Sequence, residues 1–457
     1  IAKYDSNGVP VWAQAFGGAS ADQATGIAVD LQRNVYVTGQ FSSTNFQIAG
    51  VTLTNFAPNG ASSLFIAKFN SNGGLVWLRS SDTNTHAISN PFISVDGSAN
   101  VFVTANFSGT NGIAGTNLVS QGSTDILLAK FDTNGNLLWI KQSGGSGLDT
   151  AGSVALDKAG NAYLLGNTRS TDATFGSFTF SVQGTSGDQD VIVAKFNPSG
   201  TVLWAKQFGG TDIENGRSIA LDNTGNIFVT GDFYGTTFPI GTNTLVNSGI
   251  ASALFIAKLD AAGNPLWANT AHGDYTDSSM GVAVDFLGNS YIAGFFQSSK
   301  LIFNPTVTLT NSAQTSFADA DAYVAKYDAT GNLLWATRSV GMNDQRAYSI
   351  AVDSAANAYF TGWTQGTNVV FGTLSTTNAY VDLFVTKIDS DYPVLRIDKA
   401  NTLTVLSWPA NKSAFMPQVT SNFQSWTNLT GITITNGGRI FYTNTVADKA
   451  FFRLKKN

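Results

Sequence analysis

One repeated unit constrains this chain more than any other feature. A lysine that follows a small residue on an apolar stretch recurs at Lys3, Lys68, Lys130, Lys195, Lys258, Lys326 and Lys387. A tryptophan stands nine residues after each of the first six, at Trp12, Trp77, Trp139, Trp204, Trp267 and Trp335. An aspartate closes a second apolar stretch at Asp30, Asp96, Asp157, Asp222, Asp285 and Asp353, and an asparagine follows four residues later each time. These markers keep step at intervals of roughly 61–68 residues. A period of that length means supersecondary units that bury their apolar faces against one another.

Each unit reads as four short strands. Strand a is the Gly-Ile-Ala-Val-Asp type at 26–30, and strand b the Asn-Val-Tyr-Val-Thr-Gly type at 34–39. Strand c carries the lysine and strand d the tryptophan. The a–b and c–d links are Asp-x-x-Gly-Asn turns or close variants, in which the leading carboxylate caps the turn's own amides. Apolar residues alternate, and no stretch keeps a 3.6-residue period. The expected fold is all-β: a β-propeller of four-stranded antiparallel blades over residues 1–390, followed by a small β-sandwich over 391–457. The units exceed a minimal blade, and the excess lies between strands b and c. There, Phe46, Phe175, Phe238, Phe303 and Phe371 mark an extra hairpin expected on one rim.

Seven c strands stand against six a–b pairs and six clear d strands, because the chain opens in mid-repeat at Ile1. Seven blades are favoured and six are possible. In a seven-bladed ring, residues 1–16 need strands a and b from upstream residues or from a neighbouring molecule.

The pattern Gly-Gly-x-x-x-Asp, then Ile-Ala-Val-Asp-x-x-Gly-Asn-x-Tyr-Val-Thr-Gly, then Ala-Lys-Phe-Asp-x-x-Gly-x-x-x-Trp resembles the SBBP-type β-propeller repeat of bacterial secreted proteins. It runs from residue 1 to about 389. The second unit departs from it, with Phe92-Ile-Ser-Val-Asp96 lacking the preceding Asp and Ala105 where the first unit has Gly39. The resemblance implies an extracellular propeller and carries no agreed activity. Leu406-Ser-Trp-Pro409, Ser425-Trp-Thr-Asn-Leu429 and Phe451-Phe-Arg-Leu454 resemble the C-terminal Ig- or fibronectin-III-like module of large secreted bacterial proteins, which implies sorting or assembly.

Charged residues are only 12% of the chain, and the net charge is −5. That leaves no basic footprint for nucleic acid. No apolar run is long enough to span a membrane as a helix. Cysteine is absent, which excludes disulfides, thiolate chemistry and Cys-based zinc sites. The two histidines, His86 and His272, form no motif, and neither a nucleophile elbow nor a phosphate loop occurs. No cofactor is expected. The calcium candidates are Asp188 with Asp190 and Asp319 with Asp321, paired carboxylates ahead of strand c.

The lysines are expected to form ion pairs between blades, with Asp22, Asp149 or Asp212 at the entry to strand a or with the Asp that ends it. The tryptophans are read as inter-blade packing, with a carbohydrate platform as the alternative. Trp363 replaces a Phe after strand b and is the aromatic expected to be exposed for binding. The function expected is a non-enzymatic, structural or adhesive protein of the bacterial cell surface, able to build filaments from copies of itself by strand or module exchange. The alternatives are a propeller that binds glycans or other surface proteins through its rim hairpins and, third, an enzyme with its site in the central channel.

Overall fold

The computed structural model describes residues 1–5, 8–55, 57–84, 86–184, 187–312, 319–365, 369–372, 374–376 and 381–389, together with the strands of the C-terminal region. Among these residues the only helix is the 3-10 turn Pro58–Gly60; the rest of the regular structure is strand. Two compact units divide the chain. One comprises 1–350 with 360–385, the other 351–359 with 386–457. The boundary expected at 390 is therefore drawn differently, since the second unit includes part of the last repeat.

The first unit holds five complete antiparallel sheets in the strand order a, b, c, d. The first contains Asp22–Val29, Val35–Phe41, Ser63–Phe69 and Leu75–Asn84. The second contains Ile88–Val95, Val101–Phe107, Asp125–Phe131 and Leu137–Ser143. The third contains Asp149–Leu156, Ala162–Thr168, Asp190–Phe196 and Val202–Phe208. The fourth contains Glu214–Leu221, Ile227–Phe233, Ala253–Leu259 and Pro265–Ala271. The fifth contains Asp277–Val284, Ser290–Phe296, Asp321–Tyr327 and Leu333–Val340. A two-stranded sheet, Ala2–Tyr4 with Pro10–Ala13, precedes them. Gln345–Val352, Ala358–Gln365 and Val381–Ile388 follow as the a, b and c strands of a sixth repeat.

Neighbouring sheets cover both faces of strands b and c. Val101–Phe107 and Asp125–Phe131 are buried at every residue, which is why these strands read as near-continuous apolar runs. The a strands of successive sheets lie against one another. The packing is aromatic and aliphatic, with Tyr36, Phe107, Phe131, Leu127 and Val103 in one shared cluster of the first and second sheets.

The five expected hairpins are present at Asn45–Ile48/Val51–Thr54, Ala173–Phe175/Phe178–Phe180, Thr237–Ile240/Asn243–Val246, Lys300–Asn304/Val307–Thr310 and Val369–Phe371/Leu374–Thr376. A sixth, Thr110–Ile113/Thr116–Val119, lacks the Phe marker and was not anticipated. In the second unit the strands beyond 390 form two antiparallel sheets. One is Arg396–Ala400, Leu403–Pro409, Arg439–Asn444 and Thr433–Asn436; the other is Thr427–Asn428, Phe415–Thr420 and Phe451–Lys456.

Candidate functional site

The repeated residues converge where one sheet meets the next. Each strand-c lysine leans over the aromatic ring of strand b in its own sheet: Lys68 over Tyr36, Lys130 over Phe102, Lys195 over Tyr163, Lys258 over Phe228 and Lys326 over Tyr291, at 4.8–5.0 Å. Having crossed strand b, the ammonium reaches the Asp that ends strand a. Lys130 lies 3.9 Å from Asp96, Lys195 3.7 Å from Asp157 and Lys258 3.6 Å from Asp222. The ion pair is thus internal to one sheet, correcting the expected pairing between blades.

What passes between sheets is a hydrogen bond to the next c–d turn. The ammonium and the indole N–H of one sheet donate to the same turn carbonyl of its neighbour. Lys3 and Trp12 meet at Ser71 O, Lys68 and Trp77 at Thr133 O, Lys130 and Trp139 at Pro198 O, and Lys258 and Trp267 at Ala329 O, at 2.9–3.3 Å. The tryptophans also stand edge-on to the strand-b ring, Trp77 to Tyr36, Trp139 to Phe102, Trp204 to Tyr163, Trp267 to Phe228 and Trp335 to Tyr291. The turn glycine must be a glycine for two reasons. Gly331 has φ +94, and a Cβ there would sit 2.8 Å from the Trp267 ring.

The Asp-x-x-Gly-Asn aspartates spend both carboxylate oxygens on their turns. Asp96, Asp157, Asp222, Asp285 and Asp353 each accept from the backbone N–H of the following Asn on Oδ1 and from its side-chain amide on Oδ2, as Asp30 does. Burial works to raise the Asp222 pKa, but the hydrogen bonds from Thr224 and Asn226 outweigh it and hold the group low. Asp328, a c–d turn aspartate, is held down to about 2 in the same way, by Asn332 and Thr330.

At the opposite end, the residue that opens strand a donates its backbone N–H to the residue that precedes strand c of the previous sheet. The pairs are Ile88 to Ser62, Asp149 to Thr124, Glu214 to Gln189, Asp277 to Ser252 and Gln345 to Ala320. Two of these junctions bring buried carboxylates together. Asp125 and Asp149 flank Gly144, where a Cβ would lie 2.6 Å from Asp125 Oδ1 and 2.9 Å from Asp149 Oδ2. Asp190 and Glu214 flank Gly209 and Gly210 in the same way. Burial first, then the surrounding carboxylates, pushes Glu214 up to about 8, and burial pushes Asp190 up to about 6. Asp125 and Asp149 are raised by the same cause.

These contacts separate the two calcium candidates. Asp188 and Asp190 join Asp212 and Glu214 in one acidic neighbourhood, where Asp188 adds charge repulsion to both buried acids. Asp321 instead receives the Arg338 guanidinium at 2.9 Å and the Ser312 amide, so an arginine already supplies the positive charge. No three Asp, Glu or His side chains among the described residues converge in metal-ligating geometry.

His86 lies against Gly109, whereas His272 bridges to Ile302, so the histidines stand on different sheets. Trp363 is half-buried, and its indole donates to Tyr348 Oη at 3.2 Å, which corrects the expectation of an exposed aromatic. Three of the six hairpins pair with a strand outside themselves. Val370 and Phe371 pair with Ser339 and Val340, Asn111 and Ile113 with Ser81 and Asn84, and Phe16 and Gly17 with Gln47 and Ile48. The first two therefore extend the d strand of the preceding sheet, while the hairpins at 173–180, 237–246 and 300–310 form two-stranded sheets of their own. Strand a also presents Arg217 and Arg346, which the sequence reading overlooked; they pair with Asp232 and Asp344 at 3.0 Å.

The SBBP β-propeller repeat family matches residues 11–47 and 203–236. An uncharacterised WD-repeat-containing protein of Acanthamoeba polyphaga mimivirus is 24% identical over 79% of this chain and 31% of its own length. The regulatory protein FlaEY of Caulobacter vibrioides is 26% identical over 38% of this chain and 17% of its own. The chain thus spans less than a third of either relative. Among solved structures, a Dyadobacter fermentans protein of unknown function aligns over 81% of this chain and 96% of its own, at 9% identity and TM-score 0.40. A Xanthomonas campestris gluconolactonase aligns over 75% and 83%, at 12% identity and TM-score 0.32. The polysaccharide lyase Uly1 aligns over 93% and 91%, at 10% identity and TM-score 0.39.

Proposed function

We propose that this β-propeller repeat protein is a non-enzymatic structural or adhesive component of the bacterial cell surface, joined to a second copy of itself through an open sheet face. One observation carries the reading. Strand Val381–Ile388 leaves Val381, Leu383 and Val385 exposed at 60%, 89% and 60%, whereas the c strands of the second, fourth and fifth sheets are buried throughout. Such a face is the surface that each earlier sheet buries against its neighbour. A complementary surface, with Ile27 and Val29 exposed at 60% and 58%, lies on strand a of the first sheet. A second copy presents both halves of an interface that the chain already uses between its own sheets. The contact is head-to-tail and generates fibres if it does not close.

The placement outside the cell rests on the absence of cysteine and on the composition. The non-catalytic reading is supported by the pairing of Arg217 and Arg346 and by the separation of the histidines. Light scattering and negative-stain microscopy over a concentration series test the proposal. Assemblies that grow with concentration and vanish in Leu383→Lys are expected. Single-copy particles at all concentrations, unchanged by that variant, would sink it.

A further inference from the structure

The five sheet junctions share one backbone bond but not one charge. Ser63 and Ile88, Ala253 and Asp277, and Asp321 and Gln345 show that the fold forms this junction with one acid or none. Only the junctions between the second and third sheets and between the third and fourth place an acid on each side. Asp125, Asp149, Asp190 and Glu214 are all fully buried.

Their hydrogen bonds are similar at the two places, apart from the Ser170 hydroxyl, which also donates to Asp149 Oδ2 at 2.7 Å. The strand-c acid accepts on Oδ2 from a loop amide and a strand-d glutamine, Gln121 N and Gln142 for Asp125, Gln183 N and Gln207 for Asp190. The strand-a acid accepts from the second glycine of the Gly-Gly turn, Gly145 N at 2.7 Å for Asp149 and Gly210 N at 3.2 Å for Glu214. One oxygen of every acid remains over. Asp125 Oδ1, Asp149 Oδ1, Asp190 Oδ1 and Glu214 Oε1 are buried and accept no hydrogen bond of good geometry, although the Thr168 hydroxyl lies close enough to Asp149 to lower its pKa. The main charge effects on the four come from other carboxylates: Asp149 and Asp172 on Asp125, Asp172 on Asp149, Asp188 on Asp190, and Asp190, Asp212 and Asp188 on Glu214. Two buried carboxylates with spare oxygens, each under the influence of further carboxylates, are costly in a low-dielectric interior.

We propose that each of these two junctions binds one divalent cation, bridged by Asp125 and Asp149 at the first and by Asp190 and Glu214 at the second. Two carboxylates match the charge of one such ion. The donors are all oxygen, and water or a turn carbonyl would complete the shell, the Gly144 carbonyl being already taken by the Thr174 amide and hydroxyl. Calcium is favoured over magnesium because it accepts irregular coordination by carbonyls and sheds its water readily. Each ion would tie two sheets together, so the sites are structural, distinct from the exposed face of strand Val381–Ile388 and independent of it.

The test is calorimetric titration of the full chain, freed of metal with EDTA, with calcium chloride at neutral pH, alongside thermal melts. Two ions per chain and a rise in melting temperature are expected. Asp149→Asn and Glu214→Gln should each remove one ion, and the double variant both, whereas Asp277→Asn at a single-acid junction should remove none. Equal binding of magnesium would overturn the calcium assignment. Absence of calcium binding to the wild-type chain would overturn the proposal, as would full stoichiometry in the double variant. The wild-type titration decides the matter even if a variant fails to fold.

Discussion

Replacing Lys258 with methionine isolates the latch between the fourth and fifth sheets. Its ammonium lies 3.6 Å from Asp222, donates to Ala329 O at 3.2 Å and sits 5.0 Å above the Phe228 ring. The side chains of the ion pair are only 8% and 7% exposed. Removing one member of a buried pair costs about 3–5 kcal/mol when the other is stranded. Asp222 is not stranded, because Asn226 and Thr224 still give it four hydrogen bonds. Methionine also recovers part of the stem's packing. We therefore expect a loss of about 2–3 kcal/mol, most of it the carbonyl bond, the cation–π contact and the weakened ion pair.

Because sheets in a repeat array open locally, amide exchange is the assay, read in the turn around Ala329 and on strand Pro265–Ala271. Protection there should fall by roughly 30- to 150-fold, the equivalent of that free energy, while the second sheet is unaffected. Asp222→Asn alone and in combination completes a cycle, and non-additivity above about 0.5 kcal/mol identifies a direct coupling. Unchanged protection in Lys258→Met, or a loss spread evenly over all sheets, would refute the reasoning.

Gly331→Ala should cost about 2–3 kcal/mol, combining a left-handed backbone with a Cβ against Trp267, whereas Gly50→Ala, with open space and φ +81, should cost only about 1 kcal/mol; denaturant melts compare them. In EDTA, stability should fall as pH rises from about 5 to 8, because Asp190 and Glu214 hold protons in the fold that the unfolded chain releases near pH 4. The turn aspartates act in the opposite sense: Asp328, held at about 2, contributes stability above the unfolded value that is lost as pH falls towards 2. The optimum in chelator is thus near pH 4–5, and a maximum at or above about pH 7 would contradict the buried-acid assignment.

The period was legible because one residue type does one job in every copy. Lys, Trp and Asp recur since each meets the same ring, carbonyl or turn amide in each sheet. The Asp that ends strand a is one of the partners expected for the lysine, but the pair lies within a sheet and not between sheets, because only strand b separates strands c and a. A long stem crossing Phe102 or Phe228 brings the ammonium to an Asp of the same sheet. The hairpin at 110–119 escaped notice because it buries Ile113 and Leu118 where others use Phe. Asp125 and Asp149 occupy different positions in the repeat, so no periodic search pairs them; only the backbone bond from Asp149 to Thr124 does so.

The direction of the contacts bears on the proposed head-to-tail assembly. Lysine and tryptophan reach forward onto the next sheet's turn, and the next sheet's hairpin reaches back onto the preceding d strand. At the junction of the first and second sheets both ends are thus closed, by the Lys68 and Trp77 bonds to Thr133 O and by the hairpin at 110–119 on the first d strand. Repeat arrays that stop growing carry a polar outer face. Strand Val381–Ile388 presents Val381, Leu383 and Val385 instead. The hairpins at 110–119 and 369–376 are engaged in clasping the preceding d strand. The exposed apolar residues of strand Val381–Ile388 are the ones on which the proposed contact between copies depends, and the Leu383→Lys variant addresses them directly.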